Sequence, residues 1–472
     1  MSQGLTALVL AAGQGTRFKS ATNKVLHPVL GRPMIRLVLD SLLALDPDKV
    51  IVVTGHQKDD VARAVAHPKV KCVVQKKQLG TADAVRSARK VLAARPNDDV
   101  LVINSDLPLF RAETIKPLLR LHRKSRNALT VLSAEPTDPS GFGRLIRGEK
   151  GRLRVVEEKD ATPAEKKIGE VNTGIYVFAA RDLLDVLPRI SNKNVKREFY
   201  LTDAVEIISR RGKKVTTFKT PNAEEVVGVN TRYELANAAA ALRDRKLRSL
   251  AEAGVTVLDP RSTWIDLEVE IGPDTVIYPS VTIEGSTRIG HGCLVHPSAH
   301  LVNAEVGNGV QVLTGSVIKD SIIGDGVSVG PHCHLRGKTV IHAGARVGNF
   351  VEMKNTDFGR RSKAMHLSYL GDSAVGQDVN VGAGTITCNY DGVKKHRTTI
   401  EDKVFVGSGT ELVAPVRVGK GAYIAAGSTI TADVSPDSLA ISRARQVAKP
   451  GWAKKKKALD KKRLNRKLTR KT

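Results

Sequence analysis

At 472 residues the chain is too long for one hydrophobic core, and 41% hydrophobic residues with 4% aromatics and 40 glycines suits a repeat fold with narrow interior slots better than a conventional sandwich. Its four cysteines (Cys72, Cys293, Cys333, Cys388) form no C-x-x-C pair, which argues against a disulfide framework or a cysteine zinc site. No leader and no membrane-spanning apolar run is evident, so the cytoplasm is the expected compartment. The net charge of +27 is uneven: eleven Lys or Arg stand against Asp460 between Lys454 and Lys471, and the remaining body, near +17, suits anionic substrates.

From the start, short apolar runs alternate with helical stretches. Leu5–Leu10, Val50–Val53, Val100–Ile103 and Ile175–Phe178 are expected as buried strands of an open α/β sheet with helices on both faces. Ligands of such sheets sit beyond the carboxyl ends of the strands. There the stretch Leu10-Ala-Ala-Gly-Gln-Gly-Thr-Arg17 offers backbone N–H groups to a triphosphate, with Arg17 adding charge. Phe18 replaces the third glycine of a dinucleotide fingerprint and no Walker lysine follows, but Lys24-Val-Leu-His-Pro28 extends the pattern. Asp106, just past the strand Val100–Ile103, is placed to hold Mg²⁺, a cation that prefers hard oxygen ligands.

Thr231-Arg-Tyr-Glu234 has capping-box spacing, and residues 231–254 read as a linker helix stopped by Gly254. The periodicity then changes to six. Aliphatic residues recur at Ile271, Ile277, Ile283, Ile289, Val295 and Leu301, slip at Val306 and Ile323, and close with the unbroken block Ile400 to Ile430. A period of six over this length is the signature of a parallel β-helix. Met353–Gly371 and Thr387–Thr398 break the repeat and read as loops extruded from it. His332-Cys-His334 is not taken as a metal site, because Cys333 falls at the small inward slot that Cys293 also occupies. The basic segment 447–472 reads as a disordered tail, the one part suited to touching nucleic acid.

Taken together, these motifs resemble the bacterial bifunctional N-acetylglucosamine-1-phosphate uridylyltransferase / glucosamine-1-phosphate N-acetyltransferase family, over nearly all of the chain except the basic tail. The segment Gly382-Ala-Gly-Thr-Ile-Thr-Cys-Asn-Tyr-Asp-Gly392 is highly specific to it. The resemblance implies a Rossmann-like nucleotidyltransferase domain (1–230), the linker helix (231–254) and a left-handed parallel β-helix N-acetyltransferase domain (255–446). It implies acetylation of glucosamine-1-phosphate by acetyl-CoA, then transfer of UMP from UTP to N-acetylglucosamine-1-phosphate. The product, UDP-N-acetylglucosamine, serves peptidoglycan and lipopolysaccharide (lipid A) synthesis, and the expected assembly is a homotrimer. Carried over residue by residue, nucleotide and phosphate contacts fall on Leu10, Ala11, Ala12, Gly13, Lys24, Gln75, Gly80 and Thr81, and Mg²⁺ ligands on Asp106 and Asn230. Sugar-nucleotide contacts fall on Asn104, Ser105, Gly143, Glu157 and Asn172. In the rear half Arg336, Lys354, Tyr369 and Asn380 match the sugar-phosphate site and His366 the general base, while Ala383, Asn389, Tyr390, Ser408, Ala426 and Arg443 match acetyl-CoA contacts. The sequence departs from the family at Asn23, where proline is common, and at Asn104-Ser105, where an aromatic and a glycine are usual. The serine matters most, since glycine there permits close backbone approach to the nucleotide.

Two rivals remain at this level. One keeps the front enzyme and makes the β-helix a regulatory or oligomerisation scaffold. The other is a non-catalytic nucleic-acid scaffold driven by the tail.

Overall fold

The computed structural model describes residues 3–149 and 152–468, with the side chains of 465–468 excepted. Two compact units emerge: one holds the chain up to Ala253 with 260–269 and 283–285, and the other holds 254–259, 270–282 and the chain from Ser286.

In the first unit the apolar runs become β1 (Leu5–Ala11), β2 (Lys49–Thr54), β3 (Val70–Val74) and β4 (Asp99–Asn104). They are followed by β5 (Leu129–Ala134), β6 (Gly143–Arg147), β7 (Leu153–Val156), β8 (Val171–Ala179) and β9 (Val215–Lys219). The sheet order is β9-β5-β8-β4-β1-β2-β3, with β1 parallel to β2 and β4, and β8 antiparallel to β4 and β5. Helices α1 (Met34–Leu43), α2 (Thr81–Ser87), α3 (Ala112–Ser125) and α4 (Asp203–Arg210) cover it. Alternate residues of β1 feed opposite cores: Leu8 packs with Ile51 and Val102 on one face, and Ala7 and Val9 with Val50 and Val52 on the other. Because β1 and β4 run in parallel register, Leu10 lies opposite Asn104, which brings both strand ends and their loops to one edge.

Helix α5 (Arg232–Glu252) carries the expected capping box: the Thr231 hydroxyl accepts from the Glu234 N–H, and Glu234 accepts from the Thr231 N–H at 2.9 Å. Gly254 follows it at φ +90°, a backbone angle that glycine adopts without steric cost. Ala238 and Leu242 pack with Phe18, Val29 and Met34, so this helix is part of the first unit's body.

In the second unit short strands stack in parallel register into the hexapeptide-type left-handed β-helix, and the period-six residues form its ladders. In one, Ile277, Val295, Val312, Val329, Val347, Ala364, Val381, Val406 and Ile424 lie over one another. Each of these side chains is buried. Met353–Gly371 corrects the sequence reading: it is a regular coil and not an extruded loop. Met353 and Leu370 continue the ladder above Leu335, and Phe358 and Ala364 are fully buried. The interior slot accepts Met, Phe and Ala, so the aliphatic signature fades while the backbone repeat persists. Residues 389–397 do leave the helix as a loop, closed by a bridge between Tyr390 and Lys395.

The basic segment supplies a second correction. Its described part forms helix α6 (Trp452–Leu468), every described side chain of which is exposed. Lys, Arg, Ala and Leu are strong helix formers, so local propensity favours the helix although none of its described side chains is buried.

Candidate functional site

At the carboxyl edge of the first sheet two adjoining clefts open. One, of about 570 Å³, is lined by every nucleotide position expected from sequence, from Leu10 through Gly13 to Lys24, Gln75, Gly80, Thr81, Asn104, Ser105 and Asp106. The other, of about 360 Å³, holds Arg17, Gly143, Glu157, Asn172 and Asn230, and shares Leu10, Thr81, Asn104 and Asp106 with the first.

Gly80 enters α2 at φ +116°, and a Cβ there would lie 2.6 Å from the Phe199 carbonyl oxygen, so only glycine lets the two segments meet. Gln75 is buried beside this turn and donates to Asp83 Oδ2 at 2.8 Å. Between the clefts Lys24 Nζ donates to Asp106 Oδ2 at 2.6 Å and to Asn230 Oδ1 at 3.2 Å. A carboxylate and an amide oxygen thus converge on one cation. Two hard oxygens are the donor type that would suit Mg²⁺. Among the described residues no group of three or more His, Cys, Asp or Glu is arranged for a metal. Cys333 is buried, and that burial pushes its thiol up to about 12.

The departures have local reasons. Asn23 donates its backbone N–H to Gln57 Oε1 at 2.6 Å, a bond that proline lacks, and its side chain donates to the His56 carbonyl at 2.9 Å. Ser105 is buried, and its hydroxyl donates to the Leu10 carbonyl at 2.8 Å, tying the end of β4 to β1. Nothing in the structure explains Asn104 as a replacement for an aromatic.

The second cleft also holds residues that sequence reasoning missed. Tyr176, Thr173 and Thr202 line it; Asn172 donates to the Tyr176 hydroxyl at 2.8 Å and Thr202 to Glu157 Oε1 at 3.3 Å. Burial, the largest cause, raises Glu157 above the usual carboxylate range and Tyr176 above the usual phenol range. Asp203, at the start of α4, is pushed to about 6 by burial first and then by Glu206, Glu157 and Asp160. A carboxyl raised in the fold favours folding below its ordinary 3.8 and loses that contribution as pH rises through 6. Asp203→Asn is therefore expected to raise the melting temperature by about 2–4 °C at pH 8 and to change nothing at pH 3.5. A gain that persists at pH 3.5 would show a packing effect instead.

On the β-helix, Arg336 and Lys354 stand in register on adjacent strands, and Arg336 Nε donates to Glu352 Oε1 at 2.9 Å. Lys395, on the true loop, comes against Lys354 and holds it below the usual lysine range, with Arg336 adding to the effect. The Tyr369 hydroxyl lies over Gly371 near Asn389 Nδ2, and Asn389 donates to Asp372 at 2.6 Å. Lys395 and Glu352 were missed because neither falls in a recognisable motif. Asn380 lies on a different ladder, in register with Lys363.

A second constellation runs along one edge of the prism. The backbone bonds Leu367 N to Asn349 O, Gly384 N to Leu367 O, Gly409 N to Ala383 O and Gly427 N to Ser408 O link successive coils there. His366, Ala383, Ser408 and Ala426 consequently follow one another on this edge, and Arg443 Nη1 donates to the Ala426 carbonyl at 2.5 Å. Tyr390 is exposed on the loop, its hydroxyl donating to Gly392 O at 2.6 Å.

Comparison with known proteins agrees with this division. Residues 7–257 match the MobA-like NTP transferase domain, 261–357 the GMPPB C-terminal domain and 397–432 the bacterial transferase hexapeptide (six repeats). The chain is 47% identical over 452 residues to the bifunctional protein GlmU of Pelobacter propionicus, covering 95% of this chain and 98% of that protein. It is 48% identical over 453 residues to GlmU of Thermotoga maritima, covering 96% and 99%. A nucleotidyltransferase cleft on one unit and an acyltransferase edge on the other are what such a pair of domains requires, and the chain belongs to the bifunctional GlmU family.

Proposed function

We propose that the β-helix acetylates glucosamine-1-phosphate with acetyl-CoA and that the first unit then transfers UMP from UTP to the product, yielding UDP-N-acetylglucosamine and pyrophosphate. The observation that carries this reading is the presence of two complete polar sites on separate units, one built around Lys24, Asp106 and Asn230 and the other around His366 and the Arg336–Lys354–Lys395 cluster.

In the front cleft the loop from Leu10 to Gly13, with Gln75, Gly80 and Thr81, receives the nucleotide, while Gly143, Glu157 and Asn172 receive the sugar. The sugar phosphate attacks the α-phosphorus in line and pyrophosphate leaves. Lys24 and Arg17 stabilise charge on the phosphates through preorganised donors. Asp106 and Asn230 would hold Mg²⁺, which when bound supplies further charge neutralisation to the phosphates.

On the β-helix, Arg336, Lys354 and Lys395 grip the sugar phosphate; two ammonium groups pressed together gain most from a dianion. Ala383, Asn389, Tyr390, Ser408, Ala426 and Arg443 seat acetyl-CoA. The amine attacks the thioester carbonyl, a C–N bond forms, the C–S bond breaks, and His366 takes the amine proton. A homotrimer in the cytoplasm is the proposed working form. Among the described residues no helix is long and apolar enough to cross a membrane.

Incubation with glucosamine-1-phosphate, acetyl-CoA, UTP and Mg²⁺ tests the whole reading: UDP-N-acetylglucosamine and free thiol are the expected products. Uridylylation without thiol release would reduce the β-helix to a scaffold. Helix α6 stands apart from both sites in role, and any contact with nucleic acid belongs to it. Truncation before Lys454 is expected to leave both rates within about twofold of the full chain, since every described side chain of the segment is exposed. A sharp fall in acetyl transfer would instead assign the segment to the coenzyme site beside Arg443.

A further inference from the structure

The coil that carries His366 is built differently from its neighbours. Along this ladder the strands Ser328–Val329, Asn380–Val381 and Phe405–Val406 are two residues long, whereas β10 (Arg346–Asn349) and β11 (Lys363–His366) are four. The extension depends on Gly348, where a Cβ would lie 1.9 Å from the Met365 carbonyl oxygen. With the backbones this close, Asn349 stays in register with His366 at the strand ends, and Leu367 N donates back to Asn349 O at 3.0 Å. The side chains then meet: Asn349 Oδ1 lies 2.6 Å from His366 Nδ1.

From this geometry we infer that Asn349 is a positioning residue for acetyl transfer, fixing the tautomer and aim of His366. An amide oxygen only accepts, so Nδ1 must carry the proton and Nε2 must hold the lone pair. Nε2 is therefore the atom that takes the proton from the attacking amine. The Nδ1–H bond is kept as the ring becomes imidazolium, so the ring does not have to turn between the two states. An amide orients the ring by its dipole and adds no full negative charge. This inference rests on His366 being the base, and the experiment separates the two claims.

The strands flanking β11 bring few other charges to the ring. β10 contributes Arg346, in register with Lys363 three residues before the Asn349–His366 pair. On the other side stands neutral Asn380, and the turn Gly382-Ala-Gly-Thr385 has no titratable side chain. A carboxylate at 349 would thus be the new acid beside the ring.

Asn349→Leu, close in volume but without an acceptor, is expected to lower kcat for acetyl transfer by about tenfold or more, as loss of an orienting acceptor does in other histidine bases. KM for glucosamine-1-phosphate should stay within about twofold, since the phosphate grip is untouched. Asn349→Asp restores an acceptor and should recover kcat at high pH. It should also move the acidic limb of the kcat/KM profile up by about one pH unit through attraction between carboxylate and imidazolium. An unchanged thermal unfolding transition of the β-helix, together with the retained KM for glucosamine-1-phosphate, reports that each variant has folded. His366→Ala is the reference. If it remains active, the base assignment fails. If it is inactive while Asn349→Leu keeps full kcat and Asn349→Asp leaves the limb in place, the positioning role is overturned and the base stands.

Discussion

Asp106→Ala is expected to cut uridylyl transfer by about two to three orders of magnitude, the usual consequence of removing a fixed charge from the reacting phosphates. Acetyl transfer should be unchanged, because the altered residue lies in the other unit's chemistry. Asp106 occupies the loop just past β4, where the parallel register of β1 and β4 gathers both strand ends. Its carboxylate and the Asn230 amide oxygen both point at Lys24 Nζ. Alanine removes the stronger of the two oxygen acceptors around Lys24 and leaves that ammonium, with only 12% of its side chain exposed, without its counter-charge. Asp106→Asn separates these effects: it keeps the shape and one oxygen but not the charge. An Asn variant as impaired as Ala would identify charge as the requirement. Near-normal uridylylation by Asp106→Ala, measured with supplied N-acetylglucosamine-1-phosphate, would remove the residue from the reaction.

Why the front site could be read from sequence follows from where its residues sit. Leu10 to Gly13 and Asn104 to Asp106 directly continue apolar strands, so strand pattern and loop chemistry locate them together. Glu157, Asn172 and Asn230 were reachable only through resemblance, since antiparallel pairing of β6 with β8 and the turn before α5 bring them in from distant sequence. Tyr176 and Thr202 carried no signal, because a strand tyrosine and a pre-helix threonine read as ordinary packing. The β-helix was legible wherever aliphatics held the period, and it vanished from view at Met353, Phe358 and Ala364. Those side chains fill the same buried slots with different shapes, which the chain tolerates because each slot takes one residue from each coil. Helix α6 shows the opposite failure: charge suggested disorder, while backbone propensity favoured a helix whose described side chains are all exposed.

His366→Ala should lower acetyl-transfer turnover by about a hundred- to ten-thousandfold, the span of a general-base contribution. The substrate amine is largely protonated near neutrality, and an ammonium has no lone pair with which to attack a thioester. A base must take a proton, and histidine is the side chain whose ordinary titration range suits the task. The structure puts His366 at the end of a stacked strand and not on a free loop, with its ring exposed and held through Nδ1. It also puts Ala383, Ser408 and Ala426 on the succeeding coils of the same edge, so a thioester seated along that edge would lie within reach of the ring. A base fixed on a stacked strand loses little entropy in finding its proton, which is why the loss on removal should fall in kcat while KM for either substrate changes little. Uridylylation of supplied N-acetylglucosamine-1-phosphate should be untouched. An acetyl-transfer rate within about threefold of the parent, far below the usual general-base contribution, would make His366 an ordinary surface histidine and require another base on the same edge.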